Sequence, residues 1–200
     1  IFSIVAVTTV VLVVTLGNPS VPDDNPLVVK PDNPDDPKPD TPKPADPVYT
    51  KVYFASPVNY GKISMEYSDG KDVLFVFNKT LNSWGSHKGV DLVADDGTNV
   101  TAMYAGTVVD VSESYGMGNI VKIDHGENVV CTYASLSDVK VVKGQTVAKG
   151  DVIGCVSSSA GYEFSDGAHL HLEVAVKGEQ VDPMPYVKGE VFREVEEKQQ

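Results

Sequence analysis

His169-Leu170-His171-Leu172-Glu173-Val174-Ala175-Val176 alternates polar and apolar side chains over its first six residues, which is the period of a strand. Residues two apart then share a face, so His169, His171 and Glu173 lie on one side and Leu170, Leu172 and Val174 on the other. Two imidazoles stand side by side, spaced to serve one site. Before this segment, short runs rich in β-formers recur at 51–55, 73–77, 107–111, 120–123, 129–133 and 152–156. Gly, Asn, Asp and Ser punctuate these runs, and no long 3.6-residue apolar period interrupts them. The predicted fold class is all-β, an antiparallel sheet or small β-sandwich. The phrases at 143–147 and 149–154 read as two turn-plus-strand units, too short to make a repeat.

A chain of 200 residues holds one compact domain with room for flanking segments, and the folded span is expected at 48–188. Residues 17–47 contain ten of the thirteen prolines and seven aspartates. Proline denies this stretch both helix and sheet ladder, and like charges extend it, so it reads as a linker approaching polyproline II. Its readings are a tether of set reach and ordinary disorder. Residues 1–16 are uncharged, and only Ser3 and three threonines break their apolar character. They are read as a truncated transmembrane anchor, because a polar spacer follows at once without a small-residue cleavage site; a signal-peptide core and a buried strand are the alternatives. Residues 189–200 form a charged C-terminal tail, expected to fray or to make a short helix.

Charged residues make up 22% of the chain and the formal net charge is -12, a balance that repels phosphate backbones and argues against nucleic-acid binding. The two cysteines, Cys131 and Cys155, lack the spacing of a zinc clamp and read as core residues, with a single disulfide as the alternative.

Three of the four histidines fall in two groups, His87-x-x-x-Asp91 and His169-x-His171. Zinc takes N and O donors in a tetrahedron, and a catalytic site uses three protein ligands with the fourth place left to water. His87, Asp91 and one member of the histidine pair meet that requirement, with Gly89 read as the bend that lets the first two converge. The plainer alternative is a set of hydrogen-bonded structural histidines. Glu173, on the His171 face, is placed either to orient an imidazole or simply to be solvated.

The phrases Gly85-Ser86-His87-Lys88-Gly89-Val90-Asp91-Leu92, Asn119-Ile120-Val121-Lys122-Ile123-Asp124-His125-Gly126, Thr132-Tyr133-Ala134-Ser135-Leu136 and Gly167-Ala168-His169-Leu170-His171-Leu172-Glu173-Val174 together resemble the lysostaphin/LytM-type zinc metallopeptidases, which cut peptide cross-links of bacterial cell walls. The resemblance implies Zn2+ as cofactor, His87, Asp91 and His171 as its ligands, and His169 as a catalytic histidine that positions water or stabilises an oxyanion. It also implies an extracytoplasmic domain. The family's Tyr-x-His-Leu motif supplies a second catalytic histidine, and Ser135 stands in its place. A serine cannot exchange a proton near neutral pH, so acid–base assistance of typically about 10²–10⁴-fold is lost. His125 is read as an exposed turn residue, not a substitute.

Anchor, proline-rich linker and a LytM-type domain with this serine most resemble a sporulation branch of the family. That resemblance implies a single-pass forespore membrane protein whose domain lies in the intermembrane space. There it would dock with a stage III sporulation protein AH-like membrane protein in a channel-like complex needed for engulfment. The alternative is an active peptidoglycan endopeptidase.

Overall fold

The computed structural model describes residues 49–72 and 75–196. In chain order the strands are β1 (Tyr49–Tyr53), β2 (Lys62–Met65), β3 (Val76–Asn78), β4 (Ser83–Gly85), β5 (Val90–Val93), β6 (Asn99–Thr101) and β7 (Gly106–Ser114). They continue as β8 (Gly118–Asp124), β9 (Val129–Ser137), β10 (Thr146–Val147), β11 (Val152–Val156), β12 (His169–Val176), β13 (Glu179–Val181) and β14 (Phe192–Glu196). A 3-10 turn at Gly161–Asp166 precedes β12, and the one-turn helix α1 (Met184–Val187) precedes β14.

The main sheet runs β10-β7-β8-β9-β12-β5-β2, with β11 bridging β6 and β9 and β13 added to β12. Every pairing is antiparallel, so the expected all-β antiparallel class holds. The ribbons β1-β14 and β3-β4 stand apart from the main sheet. Alternation along the central strands fills one core: Val90 and Leu92 from β5, Val121 and Ile123 from β8, Cys131 and Tyr133 from β9, and Leu170, Leu172 and Val174 from β12. Their polar neighbours Asp91, His169 and His171 are also buried. The pleat therefore separates core and site onto opposite faces of β5 and β12, and each face is covered.

Within the expected C-terminal tail, residues 192–196 depart from expectation. Instead of fraying or coiling, β14 pairs with β1 over five rungs, from Tyr49↔Glu196 to Tyr53↔Phe192. Arg193 supplies the reason: its guanidinium donates to the carbonyls of His125 and Gly126 and lies over the rings of Phe54 and Tyr104. A cation with its hydrogen bonds satisfied and its flat face on aromatic carbon anchors the strand. The disulfide alternative fails too, because Cys131 and Cys155 are both free and buried; burial pushes the Cys131 thiol up to about 12. The anchor and linker expected at 1–16 and 17–47 lie outside the described residues, among which no helix is long and apolar enough to cross a membrane.

Candidate metal centre

β5 and β12 are antiparallel neighbours in a register that sets Asp91 directly opposite His171. Opposed residues of such a pair project to the same face, and the Asp91 Oδ1 to His171 Nδ1 distance is 2.8 Å. His87 enters from the segment just before β5, where its backbone N–H and C=O exchange two 2.8 Å hydrogen bonds with Ser68. That bridge aims its ring inward, with Nε2 3.2 Å from His171 Nδ1 and 3.4 Å from Asp91 Oδ1. The bend expected at Gly89 has a different cause. A Cβ there would stand 2.5 Å from the Leu172 carbonyl oxygen and 3.0 Å from His171 Nε2, so glycine lets the entrance to β5 lie against β12. Asp91 itself lies on β5 (Val90–Val93).

Hydrogen bonds outside the cluster orient both rings. The His87 Nδ1–H donates to the Glu66 carbonyl at 2.9 Å, leaving the Nε2 lone pair facing inward. His171 turns Nε2 toward Glu173 Oε1 at 3.5 Å, and Gln180 Nε2 donates to the other Glu173 oxygen at 3.1 Å. Glu173 thus faces the histidine that it was placed to orient, and His171 Nδ1 is directed into the cluster. The three inward atoms form a compact face of N and O donors, and Asp91 Oδ2 is buried without a hydrogen-bond partner. A buried orphan oxygen beside two directed lone pairs needs a cation. In the metal-free chain a proton on His171 Nδ1 bonds Asp91 Oδ1 and leaves Oδ2 without a partner. Burial opposes charge on His171, but the Asp91 and Glu173 carboxylates outweigh it and carry His171 up to about 10. Burial would likewise raise Asp91, and the two imidazoles reverse it, holding its carboxyl well below the usual range.

His169 is fully buried, two residues before His171 along β12. Its Nδ1–H donates to the Gly167 carbonyl at 2.8 Å, and Nε2 lies 3.4 Å from Glu163 Oε2. Burial depresses His169, but the facing Glu163 carboxylate prevails and raises it. Glu163 completes a group of four that could hold a metal ion, with His87, Asp91 and His171, all donor atoms lying within 4.8 Å of one another. The sequence reading missed it. The one available signal is an acid between Tyr162 and Phe164, six residues before His169, in a segment bounded by Gly161 and Gly167.

Ser135 and His125 stand outside the cluster. Ser135 is fully buried in a left-handed conformation, φ 57°, with its hydroxyl donating to the Ser157 carbonyl. His125, expected to be exposed, is 4% exposed: its Nδ1–H donates to the Ala105 carbonyl at 3.1 Å, and its Nε2 faces the Tyr133 hydroxyl at 3.3 Å. Both ring nitrogens are engaged, so His125 does not replace the missing acid–base group.

Comparison with known proteins agrees with this arrangement. Residues 85–183 match the model of peptidase family M23. The chain is 34% identical over 128 residues to the DD-carboxypeptidase/endopeptidase Mpg of Neisseria meningitidis serogroup B, covering 64% of this chain and 27% of that protein. It is 32% identical over 108 residues to stage II sporulation protein Q of Bacillus subtilis, covering 53% of this chain and 38% of that one. The match thus spans well under half the length of either relative. Among solved structures, the SpoIIQ-SpoIIIAH pore forming complex contains a chain that superposes with a TM-score of 0.58 at 26% identity, over 68% of this chain and 90% of that one. The family match, the all-β fold and the His/Asp/His cluster coincide on one segment: this chain carries the LytM-type domain of peptidase family M23.

Proposed function

We propose that the domain holds Zn2+ through His87 Nε2, Asp91 Oδ1 and His171 Nδ1, and that it works chiefly as a docking module in sporulation. On this reading residues 1–16 anchor it in the forespore membrane, residues 17–47 extend it into the intermembrane space, and its partner is a SpoIIIAH-type membrane protein. The observation that carries the reading is Ser135. At the place of the family's second catalytic histidine stands a hydroxyl that is buried, bonded to the Ser157 carbonyl and unable to shuttle protons near neutral pH. Likeness to stage II sporulation protein Q, in sequence and in the structure of its complex with SpoIIIAH, supports the choice of partner.

The second reading, a peptidoglycan endopeptidase, is favoured by the intact donor set and by likeness to an endopeptidase. A bound zinc would supply a Lewis acid and a water of lowered pKa. On that reading His87 and Asp91 hold the ion, Glu173 fixes the ring of His171, and His169 presents its Nε2–H to developing negative charge.

One experiment separates the two. The purified chain is assayed for metal content, for muropeptide release from peptidoglycan, and for binding to the extracytoplasmic domain of a SpoIIIAH-type protein. Docking predicts stoichiometric zinc, partner binding and no release. Release that is lost in His87→Ala, without partner binding, would establish the peptidase instead.

A further inference from the structure

Four donors bound to zinc at about 2.0–2.1 Å stand about 3.3 Å apart along the edges of the tetrahedron. The three edges among His87 Nε2, Asp91 Oδ1 and His171 Nδ1 measure 3.2, 3.4 and 2.8 Å. Glu163 extends the same figure: Oε1 lies 3.6 Å from His87 Nε2 and Oε2 3.5 Å from His171 Nδ1. Its carboxylate therefore stands against the other donors, all four ligand atoms lying within 4.8 Å of one another, where a hydrolytic site leaves its fourth position to water. It also takes the proton donor of that site, because Oε2 is 3.4 Å from His169 Nε2. Charge points the same way. Two neutral imidazoles and two carboxylates neutralise a divalent cation, whereas Asp91 alone would leave a buried net charge of about +1.

The turn that carries Glu163 is built to aim it. Glu163 departs from helical geometry at φ -128°, and Gly167 closes the segment at φ 75°. Tyr162 and Phe164 remain 53% and 68% exposed while Glu163 between them is 8% exposed, so two large rings face solvent and one carboxylate faces inward. The turn is tied down on two sides. The β3-β4 connection holds it through Asn78 Nδ2 to the Tyr162 carbonyl at 3.0 Å, Lys79 Nζ to Asp166 Oδ1 at 3.0 Å and the Ser165 amide to Thr80 Oγ1 at 2.9 Å. The β7-β8 turn holds it through the amides of Gly161 and Tyr162, which donate to the carbonyls of Tyr115 and Gly116 at 3.0 and 3.1 Å.

We infer that Glu163 is the fourth protein ligand of the metal, a self-supplied plug that excludes water and substrate from the coordination sphere. This rests on the metal reading of the proposed function and not on its docking partner. The plug makes the site a closed, four-ligand centre in the resting domain, and peptide reaches the metal only when the Gly161–Asp166 turn lifts.

Cobalt(II) loaded in place of zinc reports its own ligands by visible absorption, with acetohydroxamate as the probe of an open position. The expected result is a tetrahedral spectrum for the unmodified chain that acetohydroxamate leaves unchanged. Glu163→Ala should keep cobalt with an affinity lowered on the order of 10- to 100-fold, and its bands should shift on adding the probe. Glu163→Gln, which preserves shape and the contact with His169, should respond in the same direction and guards against a folding defect in the alanine variant. A spectral shift in the unmodified chain at the same probe concentration as in Glu163→Ala would overturn the plug while leaving the metal site standing. Failure of the unmodified chain to bind cobalt or zinc at all would overturn both. Loss of partner binding in the docking experiment would leave the cobalt result unaffected.

Discussion

Ser135 and Ser157 exchange hydrogen bonds in both directions: the Ser135 hydroxyl donates to the Ser157 carbonyl at 2.8 Å, and the Ser157 hydroxyl donates to the Ser135 carbonyl at 2.9 Å. The Ser157 amide donates to the same Ser135 carbonyl at 2.9 Å, and the Ser135 amide donates to Met117 at 2.8 Å. Every polar group of Ser135 has a partner, and the residue clamps β9 against the chain that follows β11. Ser135→Ala removes one buried donor and is expected to lower stability by about 1 kcal/mol in urea unfolding, with zinc content unchanged. A fall in zinc content would place this hydroxyl in the site instead.

Gly89→Ala tests the approach of β5 to β12. The added Cβ meets the Leu172 carbonyl at 2.5 Å, a backbone atom that cannot swing aside. The strand entrance must then shift, at a cost of about 1–3 kcal/mol. Because His87 and Asp91 flank this point, zinc affinity should fall with stability. Gly85→Ala, where a Cβ meets nothing within 4 Å, is the control and should change neither.

The fold class was legible because strand period and turn residues are local signals. β7, β8, β9, β11 and β12 each contain a run picked out by valine and alternation. The short strands β2, β4, β6 and β13, of three or four residues, escape that reading because tertiary pairing, not composition, makes them strands. The same holds for β14, where Arg193 docks on carbonyls about 67 positions earlier in the chain. In the site, His87, Asp91, His169 and His171 declare themselves by spacing. Glu163 does not, since its role depends on how a turn folds back over β12, and a lone acid between two aromatics has no periodic signature.

Removing any of the three proposed ligands His87, Asp91 and His171 should be more damaging than removing the fourth donor Glu163 or the residue that orients one of them. His87→Ala, Asp91→Asn and His171→Ala are each expected to reduce zinc affinity by more than the 10–100-fold typical of outer partners, and Glu173→Gln by an amount on the order of that range. Competition with a colour-changing chelator gives the order directly. Zinc at 100 times its dissociation constant should raise the stability of the unmodified chain by about 2.7 kcal/mol, and His87→Ala should lose that increment.

His125 provides a pH test that is independent of the metal. Burial, reinforced by the nearby Arg193 cation, lowers it from 6.5 to about 4 against the opposing pull of the Ala105 carbonyl and Asp124. A depressed histidine contributes its full stability above pH 6.5, where it is neutral in both folded and unfolded chains. Between pH 6.5 and 4 the unfolded chain takes up a proton that the folded chain refuses, so stability falls with pH and levels off below 4. The difference of 2.5 units corresponds to on the order of 3 kcal/mol. His169 and His171 are shifted the other way, and their effect cancels when the unmodified chain is compared with His125→Gln at each pH. Urea midpoints between pH 7 and 4 should therefore fall more steeply for the unmodified chain than for the variant. Parallel curves would mean that the folded state accepts the proton, opening the contact between β14 and the β8-β9 turn at no cost in stability.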